Sequence, residues 1–359
     1  MAAMTARDPF DTLAPEFTVS VNGSPLPKEA VADLIKVSVL DDVDAPGMFA
    51  ITIVAWDTTQ MKAKWIDDAL FREGNPVEIA FGYRDTKVAS LSGEITGLEP
   101  DFPEGQPPTL TVRGYDRRHR LMRSRRSRSF TNCKDSDIAS QIASDANLRP
   151  RADDSGVTLP YVFQHNQTDL EFLAMRARRI NFEVVVTDRD LFFRPRKIDD
   201  TAQLTLHREV ELLEFRPRLT TLGQVPQLEV RGWDPAKKQV IVGQAGVGDE
   251  PQLMAGSNSG PSATRRAFDT SKSARVTSPV QSQDEADTMA KRGFAEMALG
   301  YIRADGMCIG EPRMHAGTVV KIEGIGDRFS GSYYLLSVEH FFRPKKGYRT
   351  RFSARRNAT

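Results

Sequence analysis

The sequence predicts a mainly β fold with an α/β insertion: two related small antiparallel β-barrels, a helical α/β insert between them, and a long loop-helix insertion within the second. Three observations predict it. Apolar and polar residues alternate with period two through most of the chain, helical spacing is confined to a few segments, and one nine-residue strand pattern occurs twice.

The elements follow in order. Phe17 to Val21 alternates and runs into Asn22-Gly23, a tight hairpin-turn signal. Similar runs cover 34–40, 49–56, 77–83, 88–98 and 110–115, separated by turn-formers such as Asp44-Ala45-Pro46-Gly47. With no helical period between them, these runs predict the first barrel, over residues 10–128. Next, Ile138, Ala139, Ile142 and Ala143 share a helical face over 135–148, with Asp135 placed as N-cap. Thr168-Asp-Leu-Glu171 is a capping box, in which hydroxyl and carboxylate each satisfy a free backbone donor. Its helix buries Leu170, Leu173, Ala174 and Ala177, and Asn181 closes it in the left-handed conformation. A hairpin of 182–187 and 191–194 completes an α/β insert over 129–200.

Strand patterns return at 204–206, 210–216, 227–232 and 239–242. Gln244 to Gln281, rich in Gly, Ser and Pro, predicts a long mobile loop. Ser282-Gln-Asp-Glu285 then opens a helix through about Leu299, and strands resume at 318–323, 333–342 and 348–353. The second barrel is therefore assigned to 201–359, interrupted at about 244–306.

The recurring pattern is Pro108-Thr-Leu-Thr-Val-Arg-Gly-Tyr-Asp116 and Pro226-Gln-Leu-Glu-Val-Arg-Gly-Trp-Asp234, with six of nine positions identical. On a strand, Leu110, Val112 and Gly114 point one way, as do Leu228, Val230 and Gly232. The opposite face sets Arg113 beside Tyr115 and Arg231 beside Trp233, close enough for each guanidinium to pack on its ring. Arg113, Gly114, Tyr115, Asp116 and Arg231, Gly232, Trp233, Asp234 are thus the candidate structural repeat. Three copies of a chain with two similar modules would present six comparable units in a ring.

Composition narrows the function. The 359 residues carry 49 Lys+Arg against 48 Asp+Glu, 40% apolar and 27% charged residues, a globular composition long enough for two or three domains. A net charge of +1 disfavours a dedicated nucleic-acid binder. Cys133 and Cys308 stand alone and predict two free thiols in a reducing compartment, with neither a disulfide framework nor a zinc site. Met1 to Pro15 lacks the apolar core of a secretory signal, and no apolar run approaches membrane-spanning length, so synthesis in the cytoplasm without stable membrane insertion is expected.

Several stretches resemble the phage late-control protein D family and the N-terminal hub region of VgrG-like proteins of contractile tails and injection systems. These are Val112-Arg-Gly-Tyr-Asp-Arg-x-His-Arg-Leu121, Gln164-x4-Asp169-x2-Phe172-Leu173, Gly310-x-Pro312-x4-Gly317-Thr-Val-Val-Lys-Ile322, and Phe329-Ser-Gly331-x-Tyr333-x4-Val338-x-His340. They occur in the family's order and span roughly residues 15 to 355. The resemblance implies a trimer of two-barrel subunits with a pseudo-sixfold channel between the inner tube and a trimeric spike. VgrG proteins continue into a needle beyond this region, so the expected spike is a separate polypeptide. The implied role is a structural baseplate hub, a symmetry adaptor whose partners are further copies of itself, the inner tube protein, the spike and other baseplate proteins. The expected destination is a phage tail or injection particle.

No catalytic, cofactor-binding or metal site is predicted. His-Glu-x-x-His, Gly-x-Ser-x-Gly and the phosphate-loop pattern are absent. Gly243 to Gly248 reads as loop, Asp41, Asp42 and Asp44 as a solvated turn, and His340 as a satisfied core or edge residue. The local anomaly is Arg113 to Arg128, with eight arginines and His119. Arg117, Arg118, Arg120, Arg123, Arg125, Arg126 and Arg128 are the candidate assembly interface or channel lining, meeting carboxylates on neighbours. Phosphate binding and simple solvated surface are the weaker readings. Against the non-enzymatic hub stand a baseplate-associated cell-wall hydrolase, which needs paired carboxylates in a cleft, and a nucleic-acid-binding module using Arg113–Arg128.

Overall fold

The computed structural model describes residues 15–83, 86–196, 201–234, 237–250, 252–268, 272–275, 280, 282–344 and 346–359. Residues 10–14, the expected opening of the first barrel, lie outside the described residues, as do parts of the expected 244–281 loop.

The first unit contains β1 (Pro15–Val21), β2 (Ser24–Pro25), α1 (Lys28–Ala32), β3 (Leu34–Asp42), β4 (Met48–Val54), β5 (Trp56–Asp57), β6 (Lys62–Ala63), β7 (Pro76–Tyr83), β8 (Thr86–Asp101) and β9 (Thr109–Asp116). Asn22 and Gly23 both take positive φ and close the β1–β2 hairpin. Alternation places Phe49, Ile51, Ile53, Ile79, Phe81, Leu110 and Val112 in one apolar core. The first insert comprises β10 (Arg125–Cys133), α2 (Asp135–Asp145), β11 (Arg149–Ala152), β12 (Leu159–Thr168), α3 (Asp169–Arg179), β13 (Phe182–Thr187) and β14 (Asp190–Pro195). Its own core gathers Phe130, Ile138, Ile142, Phe172, Leu173 and Phe193. The Thr168–Glu171 capping box forms, with the Thr168 hydroxyl accepting from the Glu171 N–H and the Glu171 carboxylate from the Thr168 N–H. Lys134, rather than the expected Asp135, is the N-cap of α2, because Asp137 accepts its backbone N–H while Asp135 turns inward to Arg176.

The chain continues through β15 (Leu204–His207), β16 (Leu212–Leu219), β17 (Gln227–Asp234), β18 (Gln239–Gly246), α4 (Gly260–Phe268), β19 (Lys272–Arg275), α5 (Gln283–Leu299), β20 (Ile302–Ile309), β21 (Val319–Glu323), β22 (Gly331–Arg343) and β23 (Gly347–Arg356). Leu206, Ile302, Val320, Tyr333, Leu335 and Phe352 form the core of the second β-unit. The mainly β class with helices held in inserts matches the sequence prediction. Strands β17 and β18, expected in the second barrel, instead form a three-stranded sheet with β19. Leu228, Val230 and Ile241 pack there on Ala286, Ala290 and Phe294 of α5. The two copies of the repeat therefore share a pleat but not a place: β9 lies between β4 and β8, whereas β17 lies between β18 and β19. Both bury the predicted Leu and Val. Gly243 to Gly246, expected as loop, ends β18.

The expected mobile loop is anchored where it is described. Met254 is fully buried, and Arg356, equally buried, donates to the carbonyls of Met254, Ala255 and Ser330 at 2.9, 2.6 and 2.8 Å. Asn357 accepts from the Met254 N–H at 2.9 Å. Composition hid this, because a buried guanidinium can be satisfied by backbone carbonyls from chain far away in sequence.

Strand β3 pairs antiparallel with β22, from Val37↔Phe342 to Asp42↔Ser337, so both units share a continuous 13-stranded sheet. Its core path runs β16-β20-β23-β22-β3-β4-β9-β8-β7-β1-β2. Across the seam, Phe81 stacks on Tyr348 at 5.0 Å between ring centroids, and Tyr83 donates to the Gly310 carbonyl at 2.9 Å. His340 is buried there, 2.9 Å from the Met314 carbonyl and 2.7 Å from the Tyr348 hydroxyl. Burial lowers its pKa to about 4. The ring is therefore neutral near pH 7, with Nε2–H donating to Met314 and Nδ1 accepting from Tyr348.

Two outcomes are expected. A Cβ on Gly114 would lie 2.2 Å from the Glu94 carbonyl oxygen and 2.3 Å from the Phe49 ring. Gly114→Ala should therefore cost about 3 kcal/mol in urea denaturation, the upper range for overpacking a closed core. His340 titrates lower in the folded chain than in the unfolded one, so its contribution is complete above pH 6.5 and declines as pH falls toward 4. Denaturation midpoints should show about 2 kcal/mol of loss from this group between pH 7 and 5, and His340→Gln should flatten that decline.

Candidate assembly site

The arginine-rich segment begins where β9 leaves the first core. Asp116 caps a short 3-10 helix, Arg117–Met122, by accepting the Arg118 N–H at 2.8 Å, and it also accepts the Gly47 N–H at 2.6 Å. That turn throws Arg117, His119 and Arg120 back toward β8. Glu94, a buried carboxylate on β8, receives Arg120 at 2.5 and 3.0 Å, His119 at 2.9 Å and Arg117 at 3.3 Å. Burial raises the Glu94 pKa, but hydrogen bonds from Arg120 and His119, reinforced by charge, outweigh it and hold the group at about 2. Burial lowers that of His119. A neutral His119 then donates from Nε2 to Glu94, while Nδ1 accepts from Arg123 at 3.3 Å.

The same arginines reach the first insert. Arg117 also pairs with Asp188 in the β13–β14 turn, and Arg118 pairs with Asp116 at 2.7 Å while donating to the Val184 carbonyl at 3.5 Å. Within the insert, Arg125 pairs with Glu171 at 3.1 Å, and Arg128 pairs with Asp145 and Asp169 at 2.8 and 2.7 Å. Arg126 approaches the same two carboxylates at 3.8 and 3.6 Å. Six of the seven candidate interface arginines thus meet carboxylates of their own chain, and Arg123 meets His119. Sequence reasoning missed Glu94; its only signal is a carboxylate between Gly93 and Ile95, some twenty residues before the arginine run.

The repeat's polar face also differs from expectation. Arg113 pairs with Glu99 at 2.7 Å and Arg231 with Glu229 at 2.8 Å, in place of stacking on Tyr115 and Trp233. A carboxylate within reach outcompetes a ring face, since the charge-assisted bond is stronger at an exposed site. Tyr115 is half-buried and Trp233 exposed, and Gly232 faces Val280. Nothing is described of the Asp234 side chain.

A second charged cluster joins all four units. Asp44, on the β3–β4 turn, pairs with Arg196 at 2.6 Å; Arg196 approaches Glu296 of α5 at 3.7 Å, and Glu296 pairs with Arg355 of β23 at 2.7 Å. Arg179 of α3 meets Glu285 of α5 at 2.6 Å. The acidic turn is committed elsewhere too: Asp42 accepts the Asp44 and Ala45 N–H groups, and Asp41 that of Ala316. Among the described residues, no group of three or more His, Cys, Asp or Glu could hold a metal ion, and no helix is long and apolar enough to cross a membrane. Among the described residues, neither Cys133 nor Cys308 is in a disulfide; Cys308 is buried, with its Sγ 3.7 Å from the Met314 sulfur.

Comparisons place this geometry among known folds. The Alg8 N-terminal domain family matches residues 11–343, and the chain belongs to that family. No curated protein matches it. Among solved structures, the 43 kDa tail protein of prophage MuSo2 from Shewanella oneidensis is 14% identical with a TM-score of 0.72, over 96% of this chain and 98% of that one. The tail protein from Neisseria meningitidis MC58 is 12% identical with a TM-score of 0.68, over 95% and 96%. The Escherichia coli c3393 protein, a type VI secretion component described as similar to phage T4 tail proteins gp27 and gp5, is 14% identical with a TM-score of 0.61, over 95% and 77%. The fold is therefore the tail-protein and VgrG-type fold that the sequence motifs resemble.

Glu94→Gln should cost about 3 kcal/mol, as expected when one partner of a buried ion cluster is removed. It should also flatten the acid limb of stability. The Glu94 contribution is complete above about pH 4.5 and lost as pH falls toward 2, because the folded pKa is depressed. Urea titrations at pH 7 and 3 check both.

Proposed function

We propose that the chain is a non-enzymatic structural hub of a phage-tail-like contractile particle, acting as a homotrimeric symmetry adaptor between an inner tube and a separate spike protein. The observation that carries this reading is the edge-to-edge joining of two β-units into one sheet by β3 and β22, in a chain whose fold is that of tail proteins. Three such chains in a ring present six β-units.

The sheet offers edges for that ring. Strand β16 pairs with β20 on one side and ends the sheet on the other. Within the first unit, β7 pairs with β8 only as far as Glu94, leaving the β7-side edge of β8 from Gly97 to Asp101 without a strand partner among the described residues. Exposed free edges of this kind invite strand pairing with another chain. Their net charges differ in sign: β16 carries Arg216 and Arg218 with Glu214, and this part of β8 carries Glu99 and Asp101. Within the chain, Arg216 also meets Glu214, Arg218 meets Asp305 and Glu99 meets Arg113. Head-to-tail pairing of these edges closes a ring of identical copies. Shared neighbours support a role within an assembled particle, and the committed carboxylates described above support a mechanical rather than a chemical task.

Sedimentation of purified chain should show a trimer at high protein concentration. Arg216→Glu with Arg218→Glu should shift it to monomer, and adding Asp101→Arg, which spares the Arg113–Glu99 pair, should restore part of the trimer. A wild-type monomer, alone and with its spike, would overturn the reading.

A further inference from the structure

The outer face of the seam between the two β-units carries a groove of about 430 Å³. Its walls are cationic: Lys36 on β3, Arg343 on β22, Lys346 in the following turn, and Arg349 and Arg351 on β23. One carboxylate faces them, Glu339, held 2.8 Å from Arg351 and 3.7 Å from Lys36. Among the described residues, no carboxylate pairs with Arg343, Lys346 or Arg349, and the Arg349 guanidinium reaches only the Tyr348 carbonyl, at 3.0 Å. Five like charges around one groove repel each other, and the Glu339 carboxylate compensates only two of them.

We propose that this groove binds an acidic, extended segment of a partner protein. The register defines the fit. Glu339 lies opposite Arg351 and Phe341 opposite Arg349, so the uncompensated cations continue the row that Glu339 begins. A strand-like segment laid along β23 with acidic residues at alternate positions presents its carboxylates at the same period as Arg349 and Arg351. Arginine pairs such carboxylates bidentately. Nucleic acid fits less well. Among the described residues, Phe341 is the only ring lining the groove; it is 7% exposed and lies beneath Arg343 and Arg351, leaving no free face for a base. Glu339 would also repel a continuous phosphate backbone. The groove lies within a single chain, so its occupancy does not depend on the ring proposed above.

Fluorescence anisotropy on the full-length protein tests this with a labelled peptide of four Glu-Ser repeats, a Lys-Ser peptide of equal length and a short oligothymidylate. The Glu-Ser peptide alone should bind appreciably, and its affinity should fall as salt rises. Arg343→Glu with Arg349→Glu should weaken it by about tenfold or more, the scale of losing two charge pairs, while Arg72→Glu on the first unit leaves it unchanged. Lys346→Glu, in an exposed turn, should weaken it severalfold and serves if the double variant fails to fold. Absence of Glu-Ser binding, indifference of folded groove variants, or tighter binding of the oligonucleotide would overturn the proposal.

Discussion

Strand β22 is the member on which the rest of the molecule depends. It is paired along one edge with β23 and along the other with β21 and then β3, so its backbone belongs to both β-units at once. Separating the units would strip a row of amide groups of their partners, and buried backbone groups without partners are costly. The side chains agree with the backbone. Tyr348, carried by the second unit, packs in the core of the first, and the His340 ring stays neutral between Met314 and Tyr348, so that it buries no charge of its own. A chain joined this way transmits load through a sheet rather than through a linker.

Around that sheet the two inserts are held by charge. The Glu94 cluster fastens the first insert to β8, and the Asp44–Arg196–Glu296–Arg355 chain ties both inserts to both units. The buried Glu94 pairs add little net stability compared with apolar packing, but breaking one partner is expensive, so they fix orientation more than they add free energy; the Asp44 and Glu296 carboxylates are part-exposed and contribute less. That suits a part whose proposed task is to hold a geometry under force. It also explains why so arginine-rich a segment occurs in a chain of almost neutral charge.

Local structure was largely legible in the sequence. The strands of the first unit, the Thr168 capping box, the Asn181 closure of α3 and the extent of α5 follow from periods and caps that act within a few residues. Strands β10 and β12 were not, because Arg125 to Cys133 carries little apolar alternation and is stabilised by pairing with a segment some thirty-five residues away. The assignment of the strands at 227–232 and 239–242 to the second barrel failed for a related reason. Leu228, Val230 and Ile241 announce that one face must be buried, but not whether a strand or helix α5 will cover it.

The candidate site divides along the same line. Sequence alone determined the pleat of both repeat copies, with Leu and Val inward and glycine where a neighbour comes close, since side-chain direction on a strand is set by covalent geometry. It also singled out the arginine run and the motifs of a tail-protein fold. Only the tertiary structure decided what the arginines meet. Electrostatic partners are chosen by distance in space, and Glu94, Asp145, Asp169 and Asp188 reach them only after β8, the two helices and the β13–β14 turn have folded around the segment.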